Sequence, residues 1–234
     1  MIIERFGHAA LLVECADQRV LIDPGSYSAA GAFALLDLTA IVVTHQHADH
    51  ADPERLPGLL EANPGAVVHA ERGALELLPA LANRATELRA GERIALGSAV
   101  LVGVGGQHAV IHSDLPSIGN VGVTLTARGE PTLFHPGDAY DVAPDGVDIL
   151  AVPLAAPWAK LSETVEFVRH VAARSVFAIH DSALSTQSRA MYWRTIERLG
   201  GDATYEPLAE LARFEVSPSG CVTGRLLDTH VAQG

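Results

Sequence analysis

The stretch Thr44-His45-Gln46-His47-Ala48-Asp49-His50 carries four potential metal ligands within six residues. It follows the apolar run 40–43, which predicts a buried strand with a loop at its end. Side chains two positions apart in an extended backbone point the same way, so His45 and His47 form one pair, and a turn directs Asp49 and His50 to a neighbouring place. Imidazole and carboxylate are ligands that zinc, manganese and iron accept. The alternative, a solvated polar entry to a helix, crowds four titratable groups together without a metal and costs stability.

Four ligands cannot close two metal sites, so further ligands have to come from elsewhere in the chain. Three positions after apolar runs stand out. His108 follows the run 100–104 and a Gly-Gly turn, Asp138 stands in a His-Pro-Gly-Asp segment, and His180 ends the run 176–180. Taken alone, each of the three is more often a structural residue.

The ordered set resembles the metallo-β-lactamase superfamily. A His-x-His-x-Asp-His motif, a single later His, a Gly-Asp after a strand and a strand-end His occur here in that family's order. The resemblance implies an α+β fold, a four-layer αββα sandwich. It also implies two divalent metal ions, with zinc as the expected metal and manganese or iron as the alternatives. The implied ligands are His45, His47 and His108 for the first metal ion, Asp49, His50 and His180 for the second, and Asp138 as a bridge between both.

Asp23, in Leu-Ile-Asp-Pro-Gly, is similar to the early strand-end aspartate of that family. The resemblance implies that it binds no metal and instead accepts the free N–H of a ligand histidine, which fixes the tautomer and orientation of the ring. The alternative is an ordinary turn residue before Pro24 and Gly25.

Two metal ions about 4 Å apart lower the pKa of a shared water toward about 7, so the predicted nucleophile is a hydroxide held by both ions. Asp49 is expected to orient this hydroxide as well as to bind metal. His112, four residues past His108, is a candidate general acid for the leaving group. An ordinary hydrogen-bonding role is the alternative for His112.

Several other polar and aromatic residues are weaker candidates. His8, His135 and Tyr140 lie near predicted site residues in the sequence, and ordinary hydrogen bonding is the alternative for each. Trp158 is equally compatible with a pocket wall exposed to substrate and with core packing. Six further residues are interpreted as surface residues or as residues with a purely structural role: His69, His170, His230, Lys160, Tyr192 and Trp193.

Composition limits the classes of function. The chain has 234 residues, of which 48% are hydrophobic, and no linker divides it, so residues 1–234 are expected to form one domain. The net charge of −12 disfavours nucleic acid and anionic membranes as partners. No secretory signal is visible, which predicts a cytoplasmic location. Cys15 and Cys221 are interpreted as small apolar strand residues.

Hydrophobic periodicity predicts the order of elements. The predicted strands are 2–6, 9–15, 19–23, 40–44, 67–70, a hairpin over 93–104, 121–127, 132–135, 148–152 and 175–180. The predicted helices are 54–61, opened by Asp52 and Pro53, and 72–82, 162–173 and 186–199. Two β-rich halves that each finish in helices fit two packed sheets with helices outside.

The resemblance implies hydrolysis of an ester, lactone or related bond in a small molecule. The layout of the chain is similar to that of the short single-domain branch that includes ascorbate-phosphate-type lactonases. Phosphorylated substrates are disfavoured, because no phosphate cradle is visible and Asp181 stands where that branch often carries Tyr. Three alternatives keep the same ligands: a phosphodiesterase or nuclease, an iron-dependent redox enzyme and a non-catalytic metal-binding scaffold. A nuclease requires a basic groove to bind the phosphate backbone, yet the chain contains only 16 Lys and Arg residues in total.

Overall fold

Two β-sheets form the centre of the protein, for which the computed structural model describes residues 1–209 and 211–226. The strands are β1 (Ile2–Phe6), β2 (Leu11–Cys15), β3 (Gln18–Ile22), β4 (Ala40–Val43), β5 (Val67–Ala70), β6 (Ala85–Glu87), β7 (Arg93–Leu96), β8 (Ala99–Gly105), β9 (Val121–Ala127), β10 (Leu133–His135), β11 (Ile149–Pro153), β12 (Ser175–Ile179), β13 (Thr204–Glu206), β14 (Leu211–Val216) and β15 (Val222–Leu226). The helices are α1 (Ala30–Phe33), α2 (Leu56–Ala62), α3 (Arg72–Leu77), α4 (Leu161–Val171) and α5 (Thr186–Leu199).

Both sheets are mixed. The first has the order β15-β14-β1-β2-β3-β4-β5-β6, antiparallel as far as β3 and parallel from β3 to β6. The second has the order β13-β12-β11-β10-β9-β8-β7, parallel from β13 to β10 and antiparallel beyond it. In both sheets the parallel strands are joined through helices or long connections, as parallel pairing requires.

Three apolar cores separate four layers. Because successive strand residues point to opposite faces, Val13 lies between the sheets with Leu101, whereas Leu12 lies on the outer face. That outer face packs against α2, and the outer face of the second sheet packs against α4 through Val165 and Val168. The predicted α+β fold, a four-layer αββα sandwich, is confirmed.

The helices differ from the prediction mainly at their ends. α2 begins at Leu56 rather than Glu54, because Asp52 Oδ1 accepts the backbone N–H groups of Glu54 and Arg55 in a turn that precedes the helix. α3 ends at Leu77, since the residue before Pro79 is extended. None of the helices within the described ranges has the length and apolar character needed to cross a lipid bilayer.

Some elements were not predicted. The helix α1 and the strands β6, β13 and β15 are short or lie at sheet edges, where the apolar pattern is weak. The inner strand β14 was not predicted either. Cys15 lies buried in β2 as expected, but Cys221 is exposed and directly precedes β15. His230 lies outside the described residues.

The sandwich brings several strand ends to one edge. β3 and β4 are parallel neighbours in the first sheet, and β10, β11 and β12 are parallel in the second. The segments after β3, β4, β10 and β12 contain Asp23, the run His45–His50, Asp138 and His180. The carboxyl ends of parallel strands are the usual place for a functional site in such sheets.

Candidate metal centre

Two groups of side chains converge at this edge. Each group offers ligand atoms that all lie within 4.8 Å of one another. The groups contain His45, His47, His108 and Asp138 in the first, and His8, Asp49, His50 and His180 in the second. All seven ligands predicted from the sequence are therefore brought together, and His8 joins them.

Asp138 lies between the two groups. Its Oδ1 is 3.0 Å from Nε2 of His50, and its Oδ2 is 3.2 Å from Nε2 of His180 and 3.5 Å from Nε2 of His108. The carboxylate of Asp138 thus faces histidines of both groups. This is the position that a bridging carboxylate needs.

Hydrogen bonds fix the tautomers of four histidines. The Nδ1 atoms of His108 and His180 donate to the backbone carbonyls of Ala109 and Ala155, at 2.6 and 2.8 Å. The Nδ1 of His50 donates to Asp23 Oδ2 at 2.7 Å. Each of these rings therefore keeps a lone pair on Nε2, which is the form that binds metal.

His45 is fixed in the same way through Thr44. The hydroxyl of Thr44 donates its only hydrogen to Asp23 Oδ2 at 2.7 Å, so its oxygen accepts from Nδ1 of His45 at 3.1 Å. The Nε2 of His45 then has a lone pair, and it lies 3.1 Å from Nδ1 of His47. Two ligand nitrogens thus face the same space.

The buried polar atoms of the cluster fit divalent metal ions. Although they lie close together, Nε2 of His50, His108 and His180 and Oδ1 of Asp138 have no hydrogen-bond partner with proper geometry. Buried polar atoms are seldom left unpaired, because an unmet hydrogen bond costs about 1–3 kcal/mol. The set of imidazole nitrogens and carboxylate oxygens, with no thiolate, suits zinc, manganese or iron.

Asp23 supports the cluster from behind. It is fully buried and holds His50 and, through Thr44, His45, one histidine from each group. The backbone N–H of Thr44 also donates to Asp23 Oδ1 at 2.8 Å. The structure therefore places Asp23 in the orienting position that the resemblance implies, outside both ligand groups.

Gly25 allows the loop after β3 to pass the ligand loop. A Cβ at this position would overlap the backbone of Asp49 and His50, which is rigid and cannot yield. Ser26 N–H also donates to the carbonyl of Ala48 at 2.7 Å. Only glycine permits the two loops to approach this closely.

His8 is the residue whose part in the cluster the sequence analysis did not predict. It is buried in the turn between β1 and β2 with a φ of +47°, and its Nε2 lies 3.1 Å from Asp49 Oδ2. Its ring packs on His180 with the ring centres 3.9 Å apart. The available signal was a Gly-His pair at a strand end, which is common in ordinary turns.

Trp158 contacts Asp138 of the ligand cluster and is not exposed to solvent as part of a pocket wall. The residue is 9% exposed, and its indole N–H donates to Asp138 Oδ2 at 2.8 Å. Of the two alternatives for Trp158, a pocket wall exposed to substrate is wrong and a buried position is confirmed. The segment before α4 instead folds inward, because a buried indole N–H needs an acceptor and Asp138 provides one.

Electrostatics keep the carboxylates ionised. Burial alone would raise the pKa of Asp138, but the charges of His50 and His180 outweigh it and hold that pKa well below its usual value. Burial lowers the pKa of His180, yet the charge of Asp138 outweighs this and raises it to about 9. Burial, with repulsion from His50, holds the pKa of His45 well below its usual value. Without metal, the negative charge is therefore balanced by protons on His50 and His180.

His112 lies beside the centre but outside both ligand groups. It lines a pocket of about 290 Å³ that also includes His47 and His108. Its side chain is exposed, and its Nδ1 accepts the backbone N–H of Asp114 at 3.1 Å. Its role as a general acid stays a prediction.

The other weak candidates have structural contacts. His135 is buried and hydrogen-bonded to the carbonyl of Ala9, and the hydroxyl of Tyr140 donates to the carbonyl of Pro153. Asp181 is buried between two arginines, with Oδ1 2.9 Å from Arg5 and Oδ2 2.6 Å from Arg189. Asp181 thus anchors the loop after β12 and faces away from the cluster.

Comparison with known proteins identifies the family. A family model described as a beta-lactamase superfamily domain matches residues 2–180, a range that includes every candidate ligand. The chain belongs to the metallo-β-lactamase superfamily. The chain is 39% identical over 194 residues to the protein Rv0786c of Mycobacterium tuberculosis, and the match covers 82% of this chain and 90% of that one.

Two further similarities are more distant. A UPF0173 metal-dependent hydrolase of Xanthobacter autotrophicus is 33% identical over 154 residues, which are 57% of this chain and 60% of that protein. The structure of Igni18, a metallo hydrolase from Ignicoccus hospitalis, superimposes with a TM-score of 0.69 at 15% identity over 93% of this chain and all of that one. The structural likeness supports the fold alone.

Proposed function

We propose that this protein is a metal-dependent hydrolase that cleaves an ester, lactone or related bond of a small molecule with the help of two divalent metal ions, zinc foremost. The observation that carries the proposal is the set of buried Nε2 atoms whose tautomers are fixed by their Nδ1 hydrogen bonds and which converge on Asp138 without a hydrogen-bond partner of proper geometry. The name of the Xanthobacter autotrophicus relative, a metal-dependent hydrolase, supports the same class.

The metal ions would supply a water of lowered pKa and would polarise the carbonyl of the bond to be cleaved. The residues that would hold them are His45, His47 and His108 for one ion and Asp49, His50 and His180 for the other, with Asp138 between them. His8 is a further candidate at the second position. The protein's own part is to fix these rings before substrate arrives, which avoids reorganisation during the reaction.

Asp49 is suited to orient the attacking water. Its side chain is 26% exposed, more than that of Asp138, so it faces the open side of the centre. Burial alone would raise its pKa, but hydrogen bonds from His180 and His8 keep the carboxyl ionised far below its usual pKa. An ionised carboxylate accepts a hydrogen bond from a water molecule and so fixes the orientation of that water.

His112 is suited to protonate the leaving group. Because its Nδ1 accepts from the backbone N–H of Asp114, the proton of a neutral ring stays on Nε2. The ring lines the same pocket as His47 and His108, so a substrate bound there passes within its reach.

A small molecule is a better substrate than a nucleic acid. None of the residues that line the pocket is Lys or Arg, and the net charge of the chain is −12. Nucleic acid binding depends on cationic side chains that neutralise phosphates. We therefore rank a phosphodiesterase or nuclease below an esterase or lactonase.

The test begins with the metal content of protein purified without added metal, followed by a screen of lactone, ester and phosphodiester substrates. About two equivalents of zinc or manganese per chain are expected, with hydrolysis that a chelator abolishes and zinc restores. Asp138→Ala should lower both the metal content and the rate of hydrolysis, whereas Asp202→Ala, at an exposed site, should change neither quantity. Stoichiometric iron without hydrolysis would favour a redox enzyme, and full metal occupancy without any activity would favour a scaffold.

A further inference from the structure

The pocket beside the first ligand group has an unusual wall. It is formed by the loop after His108, on which Val110 is 72% exposed, Leu115 is 53% exposed and Ile111 is 39% exposed. Three large apolar side chains within six residues thus face water next to the metal ligands His47 and His108. Contiguous exposed apolar side chains beside a functional centre are typical of a binding site.

The same pocket offers no charge to a polar ligand. Its lining contains no Lys, Arg, Asp or Glu, and His112 is its only titratable side chain apart from the two ligands. A phosphate, sulfate or ammonium group held against the loop wall, away from the metal ligands, would lose water without gaining a counter-charge. The pocket therefore discriminates in favour of an uncharged apolar group.

The size of the pocket limits that group. Its volume of about 290 Å³ equals that of roughly ten water molecules at about 30 Å³ each. An octanoyl chain occupies most of such a space, and a hexanoyl chain or a phenyl ring fits within it.

We infer that the loop of residues 109–118 binds an apolar alkyl or aryl substituent of the substrate next to the bond that is cleaved. The inference rests on the proposed function and names its substrate class: neutral esters, lactones or amides with a medium-length apolar chain. Val110, Ile111 and Leu115 would contact that chain, and His47 and His108 would lie at its reactive end.

Alkyl hydroxamates test this without requiring turnover, since the head group chelates a divalent ion and the tail length is varied. Calorimetry of the zinc-loaded protein compares acetohydroxamate, butanohydroxamate, hexanohydroxamate and octanohydroxamate. Affinity should rise about twofold per methylene. A fully buried methylene raises a binding constant roughly fourfold, and this wall covers only one side of the chain. The rise should level off near eight carbons.

Matched variants locate the effect. Val110→Ser/Leu115→Ser should keep both metal equivalents but lose the dependence on tail length. Leu36→Ser, at a leucine that is 57% exposed and does not line the pocket, should keep the dependence of affinity on tail length. Equal affinity for all tails, or an unchanged dependence in the double variant, overturns the inference.

Two other outcomes are separable. If light scattering shows a dimer that the double variant dissociates, and tail length has no effect, the loop is a contact between copies of the chain and the inference is wrong. If the protein binds no metal, the proposed function fails first and the inference falls with it. Metal binding without any tail dependence overturns the inference alone.

Discussion

The indole N–H of Trp158 donates to Oδ2 of Asp138 over 2.8 Å, so the residue placed to bridge two metal ions is held by a buried tryptophan. We predict that Trp158→Phe keeps the ring packing but lowers zinc affinity about tenfold, as loss of a partner behind a metal ligand commonly does. Competition with a chromogenic chelator measures this. Trp193→Phe, at a half-buried position on α5, should bind zinc normally.

Fluorescence gives the same prediction a second readout. The chain contains only two tryptophans, so Trp193→Phe leaves Trp158 as the sole reporter. Its emission should change when metal is added, because the indole contacts Asp138. An emission that ignores metal, together with normal zinc affinity in Trp158→Phe, would contradict the assigned position of Trp158.

Asp23 is expected to matter for both metal affinity and stability. Asp23→Asn preserves size and tolerates the φ of +49°, but its amide group cannot accept from His50 and Thr44 in the same way. We predict a loss of ten- to a hundredfold in zinc affinity and of about 1–3 kcal/mol in the metal-free free energy of unfolding. Asp37→Asn is the control, since Asp37 has a φ of +57° but is exposed. Equal behaviour of the two variants would refute the supporting role.

His8 is expected to affect the second metal position selectively. His8→Phe removes the donor to Asp49 and keeps a ring against His180. Calorimetry should show one zinc equivalent bound as before and the other about tenfold more weakly. His69→Phe, at a histidine of β5 outside both groups, should leave both equivalents unchanged. Equal weakening of both equivalents in His8→Phe would instead indicate a general effect on the fold.

The metal-free protein should show a specific pH dependence. The pKa of His180 is raised from 6.5 to about 9, so its contribution to stability is complete below pH 6.5 and disappears as the pH rises through about 9. At 1.36 kcal/mol per pKa unit the contribution is at most roughly 3 kcal/mol. Urea unfolding of chelator-treated protein between pH 6 and pH 10 measures it, and His180→Gln should flatten the profile. An equally steep profile in His180→Gln would assign the effect to another group.

Much of the fold could be predicted because its signals are local. The runs that form β4, β8 and β12 are apolar and bounded by glycine or polar residues, and the stripes of α4 and α5 recur at helical spacing. Short edge strands such as β6 and β13 carry no such pattern, since partners distant in sequence stabilise them. The end of α3 depended on Pro79, which a periodic pattern alone passes over.

Ligand type, spacing and order are properties of the chain, so the residues with the chemistry to bind metal could be predicted from the sequence: His45, His47, Asp49, His50, His108, Asp138 and His180. The surroundings of these residues depend on the tertiary structure. His8 and Trp158 reach the centre from distant segments, one buried in a turn and the other before a helix. The exposed apolar wall of Val110 and Leu115 is likewise visible only when the loop is seen beside the ligands. Contacts between distant segments arise from packing of the two sheets, which no local pattern encodes.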